Sequence, residues 1–348
     1  MIESGWILYY YSNVPENEQK VAFFPWNPTG LAGKWRVRKV ESCMKKSWRL
    51  WTVMTGMLIV LSGCAGNGQS DYRKTAGPAD TVVSADAADS ADAAGEYSEA
   101  DSILRMTFLD TGKSDCIIIE TENHLVVNDT ADADDEDMIC AFLEKRQAER
   151  IDYLILSHFD KDHIGSAAVL LSEYEVGCVL VPEHEKESEP YQALTEALSR
   201  TGTEERRLAE DYRFTLDDIL FTVDAPDEDS YEDDNNYSLI TAVTCGETKF
   251  LLTGDALKKR IGEFLDSDAG EEHYDLIKMP HHGDYNKKLP DLFAIARPDY
   301  VILTAGEERA RVEDKTIELM GKSGCRVFYT DEGAVTALSD GRTVTLMQ

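Results

Sequence analysis

The segment Ser157-His158-Phe159-Asp160-Lys161-Asp162-His163-Ile164-Gly165 constrains this chain more than any other, because it follows directly on the apolar run 151–156. Four metal-capable side chains fall within six residues, just past the end of an expected strand. A tight turn there lets side chains two apart converge on one ion while the adjacent Asp162 and His163 reach another. Gly165 then allows the following helix to start close by. An acidic surface loop is the bland alternative, but such a loop does not need histidines at both ends. Two later segments have the same placement. Residues 250–253 form an apolar run that terminates in Gly254-Asp255, and residues 277–280 lead into His281-His282-Gly283. Three strand ends thus deliver a set of imidazoles and carboxylates that suits two divalent ions bridged by one carboxylate.

The surroundings read as one orderly domain over residues 102–348. Short β-rich runs are expected at 106–109, 116–120, 125–128, 153–156, 176–181, 219–223, 239–245, 249–253, 276–279, 300–303, 326–329 and 343–346. Helical patterns interrupt them near 138–146, 191–198, 257–265, 289–295 and 315–320. The early strands come as hairpins, with Glu122-Asn123 as a turn, so the fold is not a simple βα alternation. Two mixed sheets covered by helices suit this α/β pattern. Cys116, Cys140, Cys178, Cys245 and Cys325 sit singly among apolar neighbours and form no CxxC pair, so they read as free buried thiols.

The first hundred residues carry a different signal. Met44-Lys45-Lys46-Ser47-Trp48-Arg49 precedes an apolar stretch, residues 50–61, that is too short to span a bilayer. Leu61-Ser62-Gly63-Cys64 resembles the bacterial lipobox, in which the signal is cleaved before a cysteine that becomes lipidated. Residues 44–63 are therefore read as a lipoprotein signal peptide and Cys64 as the lipidation site. An export signal belongs at an N-terminus, so residues 1–43 are read as an upstream over-call, with a genuine extension as the alternative. They show neither a period of 2 nor one of 3.6. Residues 64–101 are rich in Ala, Asp and Ser and hold too little apolar mass to fold, which makes them a flexible tether. Beyond residue 63 the chain carries 27 Lys and Arg against 62 Asp and Glu, a net charge of −35. That excess argues against a protein that coats nucleic acid non-specifically. The expected location is the outer face of a bacterial cell membrane, with the lipid as the membrane contact.

The motifs also carry a family resemblance. The chain resembles a metallo-β-lactamase-fold hydrolase, a four-layer αββα sandwich with its ligands on loops at one edge. Within that superfamily it is similar to the branch holding the ComEC-type competence proteins and the phosphorylcholine esterases. His158, Asp160, Asp162 and His163 follow that branch's His-x-Asp-x-Asp-His pattern. Leu109-Asp110-Thr111-Gly112, Asn235-Asn236-Tyr237-Ser238-Leu239, Leu252-Thr253-Gly254-Asp255 and His281-His282-Gly283 match it in order. The resemblance implies that His158 and Asp160 hold one metal, that Asp162 and His163 hold a second, and that Asp255 bridges them. One of His281 and His282 completes the second site; which of the two does so stays open. Asp162 and His282 are the expected catalytic groups, and Asp110 and Asp129 are expected to buttress the ligands from beneath. Four departures stand out: Gly112-Lys113-Ser114-Asp115 for Gly-Gln-Gly-Asp, Asp129-Thr130-Ala131 for Asp-Thr-Gly, Asp284 for a serine, and Arg309-Ala310-Arg311-Val312-Glu313 for a Tyr-Gly-His-Pro stretch. They leave the metal ligands alone and touch the phosphate-facing edge.

The chemistry expected of such a centre is hydrolysis. A bound zinc ion lowers the pKa of water from 15.7 to about 7, so a hydroxide held between two cations is available at neutral pH. Zinc is the default ion and manganese the alternative. The expected activity is a metal-dependent phosphoesterase or phosphodiesterase acting on a small-molecule or polymer phosphoester. The alternatives are β-lactam or lactone hydrolysis, a nuclease-like role in DNA uptake, and a non-catalytic binding lipoprotein on the same fold. Nucleic acid as a partner is disfavoured by charge unless Lys278, Lys287 and Lys288 form a positive mouth. His124, His184 and His273 read as surface residues.

Overall fold

The computed structural model describes residues 6–10, 21–25, 102–306 and 312–348. The signal peptide, Cys64, the tether and Arg309, Ala310 and Arg311 lie outside the described residues. Near the start of the chain, β1 (Trp6–Tyr10) pairs antiparallel with β2 (Val21–Pro25), Trp6 opposite Pro25. No strand was expected there, since these aromatic runs lack alternation, yet their residue types favour extended backbone.

The body from residue 102 onward is a succession of short strands and helices. It begins with β3 (Leu104–Phe108), β4 (Ile117–Glu120), β5 (Leu125–Asn128), α1 (Glu136–Lys145) and β6 (Arg150–Ile155). It continues through α2 (Lys161–Ile164), α3 (Ala167–Glu173), β7 (Glu175–Pro182), α4 (Glu189–Thr201) and β8 (Glu204–Leu208). Next come β9 (Tyr212–Leu216), β10 (Ile219–Asp224), β11 (Ile240–Cys245), β12 (Thr248–Leu252) and α5 (Lys258–Asp266). The remainder is β13 (Leu276–Lys278), α6 (Leu289–Ala296), β14 (Tyr300–Leu303), α7 (Asp314–Ser323), β15 (Arg326–Tyr329), β16 (Val335–Ser339) and β17 (Val344–Met347).

The strands form two mixed sheets, as expected. One runs β17-β16-β3-β4-β5-β6-β7-β8 and the other β15-β14-β13-β12-β11-β10-β9. Each is antiparallel in one half and parallel in the other: β5 to β8 are parallel in the first, β12 to β15 in the second. Successive side chains on a strand point to opposite faces. Phe250 and Leu252 of β12 therefore join Met106 and Phe108 of β3 in a core between the sheets, while Leu251 faces away. Its outward face meets Ile261 and Phe264 of α5 and Leu292 of α6. On the other side, Ile118 and Val127 meet Ile139 of α1 and Leu170 of α3. Three apolar layers in this order make the four-layer αββα sandwich. Covering both faces of the inner strands explains why they read as continuous apolar runs. Each fully buried Phe, Leu or Ile is worth roughly 1.5–3 kcal/mol by transfer.

Three further strands, all in the body from residue 102, were not expected, and each has its reason. β8 and β9 are edge strands with Glu204, Glu205, Arg206 and Arg207 or Arg213 in them, and edge strands are kept charged to block further pairing. β16 is central but short and built partly of small residues, and it pairs with β3, Val335 opposite Phe108, across most of the domain. Cys116, Cys178 and Cys245 are buried, Cys140 and Cys325 half-buried, and all five are free thiols. Among the described residues no helix is long and apolar enough to cross a membrane.

Candidate metal centre

Parallel strands carry their carboxyl ends to one edge, and there the two sheets touch. Gly254, just past β12, has φ +51°, and a Cβ on it would stand 2.8 Å from the Ser157 Cβ beyond β6. Glycine at this one position lets the tips of the two sheets meet. The Ser157 carbonyl accepts from the Leu239 amide at 2.8 Å, and the Gly254 carbonyl from the His281 amide at 3.2 Å. The turns beyond β6, β12 and β13 are thereby fixed against one another.

Within this junction each imidazole is aimed by a partner on its far side. Asp129, just past β5, accepts from the Ser157 amide at 2.7 Å, from the Ser157 hydroxyl at 2.8 Å, and from His163 Nδ1 at 2.9 Å. That directs His163 Nε2 to within 3.2 Å of Asp255 Oδ1. His282 Nδ1 lies 2.8 Å from the Thr304 carbonyl, which can only accept, so this nitrogen carries the proton. Its Nε2 faces Asp255 Oδ2 at 3.2 Å and Asp162 Oδ2 at 3.7 Å. Asp162, His163, Asp255 and His282 each offer a ligand atom within 4.8 Å of the others. The Nε2 atoms of His158 and His282 are buried and make no hydrogen bond. Inward-facing imidazole nitrogens among carboxylates are the donor set of a divalent ion, and these residues fit one.

The histidine pair is resolved by the backbone. His281 and His282 both adopt left-handed conformations, φ 47° and 50°, which is uncommon for two successive non-glycine residues and concentrates at functional sites. The turn buries His282 among the donors and leaves His281 half-exposed, its Nε2 3.2 Å from Asn235 Nδ2. Ala131, where the resembling family has glycine, also takes a left-handed φ of 53°.

Two expectations need correction. Asp110 is exposed and does not buttress the site. The chain turns outward after β3 and returns through Gly112, so the carboxylate that arrives beneath the donors is Asp115. Asp115 accepts from the Thr304 hydroxyl at 2.7 Å and ion-pairs with Lys278. Lys278, one of the three lysines a positive mouth would require, is fully buried instead, with Nζ 3.1 Å from the Gly254 carbonyl and 3.5 Å from Asp255 Oδ1. A lysine interrupting the apolar run 276–279 was the available signal that it serves the interior. The expected buttress Asp129 is in place.

Charges are set against burial throughout. Burial pushes the Asp255 carboxyl up, but His282, His163 and Lys278 outweigh it and hold it well below the usual range. Burial likewise opposes the net lowering of Asp115, which Lys278, His282 and His163 produce. His163 is pulled down by burial and raised further by Asp255 and Asp129, ending well above an ordinary imidazole. Lys278 stays charged because Asp115 and Asp255 outweigh its burial.

His158 and Asp160 stand apart from this group. His158 Nε2 is 3.8 Å from Asp160 Oδ2, and the other Asp160 oxygen pairs with Lys186, a residue the sequence did not single out. His158 and then Lys186 hold the Asp160 carboxyl well below the usual range. His184, expected at the surface, is half-buried and stacked on Tyr237 with centroids 3.7 Å apart.

Residues 109–306 match the family described as the Metallo-beta-lactamase superfamily. ComE operon protein 3 of Bacillus subtilis (strain 168) is 25% identical over 199 residues, which cover 57% of this chain and 26% of that protein. Competence protein ComA of Neisseria gonorrhoeae is 24% identical over 206 residues, or 59% of this chain and 27% of its own length. The chain thus spans about a quarter of the length of these relatives. Among solved structures, the metallo-beta-lactamase fold protein YhfI from Bacillus subtilis is 13% identical with a TM-score of 0.44, covering 65% of this chain and 96% of that one.

Proposed function

The chain belongs to the metallo-beta-lactamase superfamily, made up mostly of metal-dependent hydrolases, and from that premise we propose a phosphoesterase or phosphodiesterase that is exported and lipid-anchored through Cys64. The observation that supports it is the group formed by Asp162, His163, Asp255 and His282, with its inward Nε2 atoms. A divalent ion held there, zinc by default or manganese, supplies Lewis acidity that lowers the pKa of water and offsets charge developing on the substrate. The chain's own residues do the rest. Asp129 and Thr304 fix the rings of His163 and His282, so the donors need no rearrangement. Asp162 has 26% of its side chain exposed where the other three donors are buried, which makes it the carboxylate positioned to take a proton from attacking water. His281, half-exposed beside the group, is placed to meet the substrate.

A competence-related, nuclease-like activity is the second reading, favoured by the names of the two relatives above. The burial of Lys278 removes one of the three lysines a positive mouth would require, and Lys288 is paired with Asp291 at 3.1 Å. The test is turnover by metal-loaded and chelator-stripped protein on bis-p-nitrophenyl phosphate, nitrocefin and single-stranded DNA. Metal-restored cleavage of bis-p-nitrophenyl phosphate, with neither nitrocefin nor DNA cleaved, is the expected result; unchanged cleavage after stripping sinks the proposal. Cys64→Ala is expected to move the protein from the membrane fraction to the soluble one.

A further inference from the structure

The two metal positions differ in the cation beside them: Lys278, near Asp255, is fully buried and paired with Asp115, whereas the cation at Asp160 is partly exposed. Lys186 follows β7, and its ammonium pairs with Asp160 and lies 2.8 Å from Asp234 Oδ2, with 23% of its side chain exposed. Neighbouring contacts hold it there. His184, two residues earlier, stacks on Tyr237 at an interplanar angle of 9°, and Tyr237 belongs to the same short turn as Asp234. Phe159, adjacent to Asp160, packs against Tyr191 with centroids 4.7 Å apart. Asp160 is thus engaged by an ammonium that is itself held between two carboxylates.

We propose that Lys186 is an internal counter-cation that competes with metal for Asp160. The chain then holds one divalent ion tightly, among Asp162, His163, Asp255 and His282, and a second at His158 and Asp160 only weakly. The inference rests on the metal-centre reading above and goes beyond it by making the two positions unequal. Four donors converge on one position, each backed by a buried partner or its own turn. The other has two, His158 and Asp160, and one of these already carries an ion pair. An ammonium and a divalent ion repel at such range, so filling the first position requires Lys186 to leave Asp160 and retreat to Asp234.

The experiment is a titration of the metal-depleted full-length chain with Mn2+, with free ion read by electron paramagnetic resonance and binding heats by calorimetry. The wild type is expected to take up one ion tightly and a second at least tenfold more weakly. Lys186→Met and Lys186→Gln are each expected to tighten the second ion at least tenfold and leave the first within twofold. Lys186 is partly exposed and outside the core, so both variants keep the fold, which circular dichroism checks. Two equally tight ions in the wild type, or a second ion unmoved in both variants, overturns the role of Lys186. A wild type that binds no tight ion overturns the metal-centre reading and this inference with it, and is distinguishable from the other outcomes by stoichiometry alone.

Discussion

Both halves of the donor set draw on the same six-residue segment, yet they are supported differently. His163 is aimed from behind by Asp129 and faces Asp255, with Lys278 and Asp115 completing a fully buried layer. Asp160, three residues earlier, points outward to Lys186 on a different loop. One half is preorganised by the sheets, and its geometry depends on strand tips that cannot shift without breaking both cores. The other is set by a side chain with solvent on one side. Ligand identity alone therefore does not make a metal position; the supporting layer decides how firmly the donors are held.

The sharpest way to break the contrast is to remove a donor from the buried half. Asp255→Asn or His163→Ala is expected to lower tight metal affinity by more than the roughly 10–100-fold typical of lost supporting residues, and to abolish turnover. Elemental analysis of the purified variants checks this. Next in size is Lys278→Met, which leaves Asp115 and Asp255 buried without their cation. Breaking such a pair costs about 3–5 kcal/mol, and thermal denaturation should show the loss more strongly without metal than with it. Asp129→Asn keeps the donors but loosens His163; its metal affinity should fall roughly 10–100-fold by titration.

Protons sharpen the comparison further. In the metal-free chain His163 has a raised pKa, so its stabilising contribution is present below the unfolded imidazole value of about 6.5 and is lost as pH rises through the native one. A metal needs the neutral ring, so metal uptake at pH 7 should release protons, measured by calorimetry in buffers of different ionisation enthalpy. Asp115 and Asp255 run the other way. Their contribution is present above the unfolded carboxylate value of about 3.9 and is lost as pH falls through their depressed native values, so the metal-free fold should weaken in acid. The smallest effect belongs to Asp217, at the far turn between β9 and β10. Its carboxyl, lowered to about 2, accepts from the Thr121 hydroxyl at 2.6 Å and the Asn123 amide at 2.7 Å. Asp217→Asn should lower the melting temperature slightly and leave metal content unchanged.

Much of this was legible in the chain itself. Inner strands such as β6 and β12 carry apolar residues on both faces, so their runs stand out, and the metal-capable residues follow them closely in sequence. Edge strands β8 and β9 were not legible, because the charges that protect an edge erase the apolar signal. Among the site residues, Asp129 could be read from its place after a strand, whereas Asp110 and Asp115 could not be told apart, since both flank the same Gly112 turn.

By itself the sequence determined the alternation of strands and helices and the donor residues at three strand ends, because periodicity and chemical type are local properties. Which side chains face one another depended on the meeting of two sheets. That meeting sent His282 inward and His281 outward, buried Lys278 beneath Asp255, and set Lys186 against Asp160. Each of these joins residues far apart in the chain, and only closure of the packed core fixes where their atoms come to rest.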